Sequence, residues 1–182
     1  MDNGPSLDMT PINQTSPKVL WLVGLSGAGK STIGDALVDR LRADGIQAAR
    51  LDGDDLRVGL NSDLGFSPQD RSENLRRAAH VAKLFANLGN VTIASFISPL
   101  ASDREAIKQI LGDQYVEVYI KTSLATCEER DPKGLYKRAR SGELKQFTGV
   151  SAAFEHPEAA DVVIETESVS ILEAVELLRS IL

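Results

Sequence analysis

The sequence predicts an α/β protein, a doubly wound parallel sheet of five strands flanked by helices. Three observations carry that reading. Short apolar runs without in–out alternation, such as 19–23 and 91–96, suit strands buried on both faces. The stretches between them repeat apolar residues at spacings of three and four, which is the helical period. The first run leads straight into Gly24-Leu25-Ser26-Gly27-Ala28-Gly29-Lys30-Ser31, a full match to G-x-x-x-x-G-K-[ST] in a strand–loop–helix context.

The loop's composition follows from its task. Phosphate oxygens need several backbone N–H groups pointing inward, and small residues let the chain curl that tightly. The helix that follows adds the positive end of its dipole. Gly24, Leu25, Ser26, Gly27, Ala28, Gly29, Lys30, Ser31 and Thr32 are therefore the candidate nucleotide contacts. Lys30 is placed to reach the β- and γ-phosphates, and the Ser31 hydroxyl to ligate Mg²⁺. A plain glycine-rich turn with an exposed lysine is the bland alternative.

Taken in order, 1–17 is rich in proline and small polar residues and reads as a flexible leader. A single domain is expected over 18–182, beginning with a strand at 18–23 and a helix to about Ala43. Asp44-Gly45 stops that helix. A second strand at 47–51 delivers Asp52-Gly53-Asp54-Asp55 to its C-terminal end, where open α/β sheets hold ligands. Residues 56–70 are polar and read as irregular. Ser67 is a candidate N-cap with Pro68 at N1, opening a helix to about Leu88 with Leu75, Ala78, Ala79, Ala82 and Phe85 as its apolar stripe. A strand at 91–96 follows, then a helix from Ser102 or Asp103 to Leu111, a strand at 115–120 and a short helix at 124–130. The segment 131–149 is basic, with Lys133, Lys137, Arg138, Arg140 and Lys145. Beside a phosphate site it reads as a mobile lid, and elsewhere it would read as a solvated helix. A fifth strand at 161–164 and a helix at 168–182, with Ile171, Val175, Leu178 and Leu182 inward, close the chain.

Composition narrows the class. The 182 residues carry a net charge of −6, with 42% hydrophobic and 25% charged residues. That argues against broad binding to nucleic acid or to an anionic membrane. Cys127 is the only cysteine, so the chain cannot form an internal disulfide. No apolar run approaches the ~18 residues of a membrane span, and the start lacks the layout of a secretory signal. A cytoplasmic protein is expected.

The phosphate loop alone leaves GTPases, motor ATPases and small-molecule kinases open. The sequence lacks the N/T-K-x-D guanine-reading motif, and it lacks an apolar strand ending in Asp-Glu. Its acids come early, as Asp52 and Asp54. A small-molecule kinase needs a carboxylate for the acceptor hydroxyl, cations for the transferring phosphoryl, and a lid against water. All three are present in outline. Arg57, Arg71, Arg76 and Arg77 suit an oxyanion-bearing acceptor, although some of them read equally as helix-surface charges. Phe66 is either a core plug or a stacking platform for a base.

The run from Leu51 through Arg77 (Leu-Asp-Gly-Asp-Asp-Leu-Arg-x-Gly-Leu-Asn-x-Asp-Leu-Gly-Phe-Ser-x-x-Asp-Arg-x-Glu-Asn-x-Arg-Arg) resembles the adenylylsulfate kinases. So do Ser95-Phe96-Ile97-Ser98-Pro99, Glu129 through Tyr136, and Phe147-Thr148-Gly149. The resemblance implies a P-loop kinase fold. It also implies transfer of the ATP γ-phosphoryl to the 3′-hydroxyl of adenosine 5′-phosphosulfate, in sulfate assimilation. By resemblance, Asp54 orients and deprotonates that hydroxyl, and Asp52 with Ser31 holds the magnesium shell. Arg57, Arg71 and Asn74 bind the phosphosulfate. Phe66 and Phe147 stack on the acceptor adenine, with Ile97 and Leu135 lining the same pocket. Arg130 packs on the ATP adenine, and Lys133 reaches the phosphates on closure. Ser98 stands where the family is often described as having a phosphoserine. A serine after a strand end could equally hydrogen-bond the acceptor, and direct transfer, which needs no such intermediate, is the favoured of the two routes; Ser98 is expected as a catalytic and substrate-binding residue. A homodimer is the usual family assembly. Three departures stand out: Leu100-Ala101 replaces Tyr-Arg, Ala153-Phe154 replaces Pro-Tyr, and Asp55 replaces Asn. They predict activity with altered acceptor affinity. Two other readings are a kinase for another small acceptor, and a sensing subunit that binds nucleotides without turnover.

Overall fold

A computed structural model describes residues 18–182. The leader expected over 1–17 lies outside the described residues. The elements are β1 (Val19–Val23), α1 (Lys30–Ala43), β2 (Ala48–Asp52), α2 (Gly53–Val58), α3 (Pro68–Asn87), β3 (Val91–Phe96), α4 (Ala101–Leu111), β4 (Tyr115–Lys121), α5 (Leu124–Arg130), α6 (Leu135–Arg140), β5 (Val162–Glu165) and α7 (Ile171–Ser180). A single 3₁₀ turn, Gly112–Gln114, leads into β4.

The five strands are parallel in the order β2-β3-β1-β4-β5. β1 is central and buried throughout. Its period-two alternation divides the core. Leu20 and Leu22 face α1 and α7 with Ile33, Leu37, Leu41, Val175 and Leu178. Val19, Trp21 and Val23 face α3 and α4 with Leu75, Ala78, Ala79, Ala82 and Ile107. Trp21 stacks on Phe96 at 4.8 Å between ring centroids. Helices on both faces leave the C-terminal strand ends as the open rim where the phosphate loop sits.

Three expectations and one alternative reading need correction. The stretch after β2 is not irregular throughout, because Gly53–Val58 is helical. The Asp52 side chain accepts from the Asp54 N–H as the N-cap, and Asp54 and Asp55 lie in the first turn. The acidic run therefore also starts a helix. In α3 the buried stripe continues at Ala86 rather than Phe85, which stands at the exposed edge. In α7, Ile171 is 49% exposed and Ala174 takes its place inside. The Ser170–Glu173 capping box fixes the start of α7, so Ile171 sits at N1 over the preceding turn. In the basic segment, α6 is more than a solvated helix: Tyr136 and Ala139 are buried, and Tyr136 joins the core.

Candidate active site

The phosphate loop runs from the end of β1 into α1. A Cβ at Gly24 would lie 2.6 Å from the carbonyl oxygen of Ile120, so the loop can leave the sheet only through glycine there. Gly29 caps α1 at φ 104, a conformation that favours glycine. Leu25 and Ala28 are buried, Ser26 and Gly27 are half-buried, and Thr32 is exposed on α1.

Lys30 is buried and its Nζ donates to the carbonyls of Gly24 at 2.8 Å and Leu25 at 2.7 Å. Burial lowers its pKa to about 8, against the opposing pull of Asp52. Ser31 Oγ donates to Asp52 Oδ2 at 2.7 Å. The same carboxylate accepts from Arg50 Nη2 at 2.9 Å and, through Oδ1, from the Asp54 N–H at 2.9 Å. Burial pushes the Asp52 pKa up, but these donors outweigh it and the pKa is lowered. Arg50 also reaches Asp55 at 3.1 Å.

Asp54 is 69% exposed at the start of α2 and pairs with Lys133 from the loop before α6. Two of the four sequence-predicted catalytic groups, Asp54 and Lys133, therefore meet across the rim. Tyr136, in α6, donates its hydroxyl to the Ser26 carbonyl at 3.0 Å. Asp131 accepts from the Tyr136 and Lys137 N–H groups at 3.1 Å each and caps this segment. Arg130 lies exposed beside the loop, with Nη1 3.4 Å from Gly27 O and 3.3 Å from Thr166 Oγ1.

On the other side of Asp54, Arg57 donates to Gly65 O at 2.9 Å and stands 4.4 Å above the Phe66 ring. Phe66 is 65% exposed, which removes the core-plug reading. Arg71 is the hub here. It donates to Phe66 O at 3.0 Å, Thr148 Oγ1 at 2.9 Å and Gln146 O at 2.5 Å. One guanidinium thus ties the Phe66 loop to the Phe147 loop. Phe147 is half-buried and meets Tyr136 edge-on at 5.0 Å. Asn74 is buried and its Oδ1 accepts from Asn61 Nδ2 at 2.9 Å. Ile97 and Leu135 are half-buried at the ends of β3 and the start of α6. Arg76 and Arg77 turn away from this group and pair with Glu73, Arg77 also with Asp63.

Ser98 follows β3 at φ 44 and is buried. Its Oγ accepts from Trp21 Nε1 at 2.9 Å, and its carbonyl accepts from Arg104 at 3.0 Å. The departure at Leu100-Ala101 is held by Glu155, whose carboxylate accepts from the Ala101 N–H at 2.6 Å and whose own N–H donates to Pro99 O at 2.8 Å.

Sequence reasoning missed Arg50, Asn61, Tyr136 and Thr148 as members of the site. Tyr136 and Thr148 stood inside quoted motifs without a role. Arg50 was hidden as a strand residue, and Asn61 as a loop polar residue.

Among the described residues no cluster of three or more His, Cys, Asp or Glu side chains could hold a metal. Ser31 Oγ and Asp52 Oδ2 are nevertheless two hard oxygen donors 2.7 Å apart. Adjacent ligands of octahedral Mg²⁺ at ~2.1 Å bonds stand about 3.0 Å apart, so a small separation of the pair would fit that ion. No helix among the described residues is long and apolar enough to cross a membrane.

Known proteins resemble this chain closely. The adenylyl-sulfate kinase of Paraburkholderia xenovorans is 56% identical over 160 residues, which is 88% of this chain and 89% of that protein. That of Staphylococcus carnosus is 54% identical over 159 residues, 87% and 80% of the two chains. The solved APS kinase of Mycobacterium tuberculosis, in complex with AMPPNP and APS, superposes with a TM-score of 0.88 at 43% identity, covering 91% of this chain and 96% of that one. The hexameric APS kinase of Thiobacillus denitrificans has a TM-score of 0.66 at 27% identity, covering 91% of this chain and 29% of that one. The adenylylsulphate kinase profile matches residues 16–165, and the chain belongs to that family.

Proposed function

We propose that this chain transfers the γ-phosphoryl of ATP to the 3′-hydroxyl of adenosine 5′-phosphosulfate, giving 3′-phosphoadenosine 5′-phosphosulfate and ADP. The observation that carries this is the meeting of Asp54 and Lys133 across the rim, beside a complete phosphate loop, in a chain of this family.

The loop amides from Gly24 to Thr32 and the Lys30 ammonium hold the β- and γ-phosphates, and Arg130 lies against the ATP base. Ser31 and Asp52 would hold Mg²⁺, which would supply neutralisation of the phosphate charge. Asp54 accepts the proton of the acceptor hydroxyl and aligns its oxygen with the γ-phosphorus. Lys133 shares in stabilising the transferring phosphoryl, and its segment excludes water as a mobile lid. Arg57, Arg71 and Asn74 bind the anionic end of the acceptor. Phe66 and Phe147 stack on its adenine, beside Ile97 and Leu135. The transfer is direct, since the Ser98 hydroxyl is buried and already engaged by Trp21. The described residues act as one P-loop kinase domain, in a cytoplasmic homodimer.

A coupled assay of ADP release with ATP, Mg²⁺ and adenosine 5′-phosphosulfate tests the reading, with the product identified by mass. Acceptor-dependent formation of the 3′-phosphorylated sulfonucleotide is expected. Nucleotide binding without product would instead favour a sensing role. Turnover with a sugar acid but not with the sulfonucleotide would mark a kinase for another acceptor.

A further inference from the structure

Asn61 lies in the turn after α2 and is 0% exposed. Its backbone is fixed at both ends: its N–H donates to Leu56 O at 2.8 Å, and its carbonyl accepts from Leu64 N–H at 3.1 Å. Its side chain makes one hydrogen bond, from Nδ2 to Asn74 Oδ1 at 2.9 Å. Its own Oδ1 is buried with no partner. Stability gives no reason for that arrangement, because a buried acceptor left unpaired costs free energy that an apolar side chain of similar size would not.

The consequence falls on Asn74. An amide has a donor end and an acceptor end. With Oδ1 committed to Asn61, the end left for anything else is Nδ2. Asn74 Nδ2 has no protein partner among the described residues, and it is not one of the sealed unpaired atoms. We propose that Asn61 is a positioning residue. It locks the Asn74 amide with its N–H₂ toward the acceptor nucleotide, so that the site selects a hydrogen-bond acceptor there, an anionic oxygen or a ring nitrogen. This rests on Asn74 contacting the acceptor, as proposed above.

The isosteric change Asn61→Asp inverts the device. A carboxylate cannot donate to Asn74 Oδ1, so the Asn74 amide turns over to donate to it, and its carbonyl then faces the nucleotide. Adenosine 5′-phosphosulfate binding, measured by calorimetry without ATP, should weaken roughly tenfold or more. In turnover the acceptor KM should rise by the same factor, while ATP KM and kcat stay within about twofold. Unchanged acceptor binding in Asn61→Asp would overturn the inference, provided Asn74→Ala weakens it. If Asn74→Ala also leaves binding intact, the error lies in the acceptor role of Asn74. Should Asn61→Asp not fold, side-chain amide NMR of the wild-type protein decides. The Asn61 Nδ2 protons should be slow to exchange, and those of Asn74 should shift on addition of the sulfonucleotide. Shifts confined to Asn61, or equal fast exchange of both amides, would sink it.

Discussion

The Tyr136 hydroxyl donates to the Ser26 carbonyl at 3.0 Å, so the helix of the basic segment is fastened to the phosphate loop itself. Burial raises the phenol's pKa, with Cys127 adding to the effect, so it remains a donor through the physiological range. This contact ties the basic segment to the phosphate loop directly.

Tyr136→Phe removes that bond and keeps the ring in its packing. A neutral hydrogen bond contributes about 0.5–1.5 kcal/mol, so the thermal midpoint should drop by only a few degrees. The ATP KM should rise about three- to tenfold. Equal ATP KM values in the two proteins would show that the fastening does not matter to nucleotide binding.

Lys30 gives a pH dependence with a definite sign. Its folded pKa, about 8, lies below the usual 10.5. The unfolded chain therefore binds the extra proton between those values, and the burial penalty, roughly 3 kcal/mol below pH 8, fades as pH rises toward 10.5. Phosphate binding acts oppositely, because it needs the charged ammonium. Nucleotide affinity should be flat below about pH 8 and then fall, approaching tenfold per unit. Calorimetric titration with an ATP analogue from pH 6.5 to 9.5 measures this, and Lys30→Arg, which stays charged, should remove the slope.

What the sequence disclosed and what it hid divide along one line. The phosphate loop, β1 and the Asp52–Asp54 pair were legible because each is local: a loop whose chemistry fixes its glycines, and acids two residues apart at a strand end. Tyr136 was not, since its partner Ser26 is 110 positions away and its neighbours are basic. Arg50 reads as an ordinary strand residue, which it is, and only the fold brings its three acidic partners to it. Arg71 reads in the sequence as a candidate for an oxyanion, and nothing there marks it as the brace between the Phe66 and Phe147 loops. Phe85 and Ile171 misled for a different reason: periodicity gives a stripe but not its edge, where Phe85 lies, nor the capping box that sets Ile171 at N1.

Asp54→Asn tests the base. The amide keeps the shape of the carboxylate and loses its basicity. General-base assistance contributes about 10²–10⁴-fold, so kcat should drop at least a hundredfold while the affinity for ATP stays within about threefold. Because Lys133 loses its partner as well, Lys133→Met should be measured beside it. Near-normal kcat in Asp54→Asn would remove Asp54 from the chemistry.

Arg71→Lys distinguishes a brace from a simple charge. Lysine keeps the charge but cannot span Phe66 O, Thr148 Oγ1 and Gln146 O together. If the brace sets the gap between the two aromatic loops, affinity for a neutral acceptor fragment such as adenosine should fall along with affinity for the sulfonucleotide. If Arg71 serves only the anion, adenosine binding should be untouched.

Ser98 decides between direct and two-step transfer. Its Oγ is committed to the Trp21 indole, and the left-handed backbone is held through Arg104 on its carbonyl. An attacking hydroxyl would have to give up the indole and leave the interior. Ser98→Ala removes the oxygen and leaves Trp21 Nε1 unpaired, a loss of about 1–3 kcal/mol in stability. Turnover should stay within about tenfold of wild type, with the loss mainly in acceptor KM. Incubation with γ-labelled ATP and no acceptor should leave no acid-stable label on the wild-type protein. A labelled Ser98 that discharges to the acceptor at the catalytic rate, together with a dead Ser98→Ala, would establish the covalent route instead.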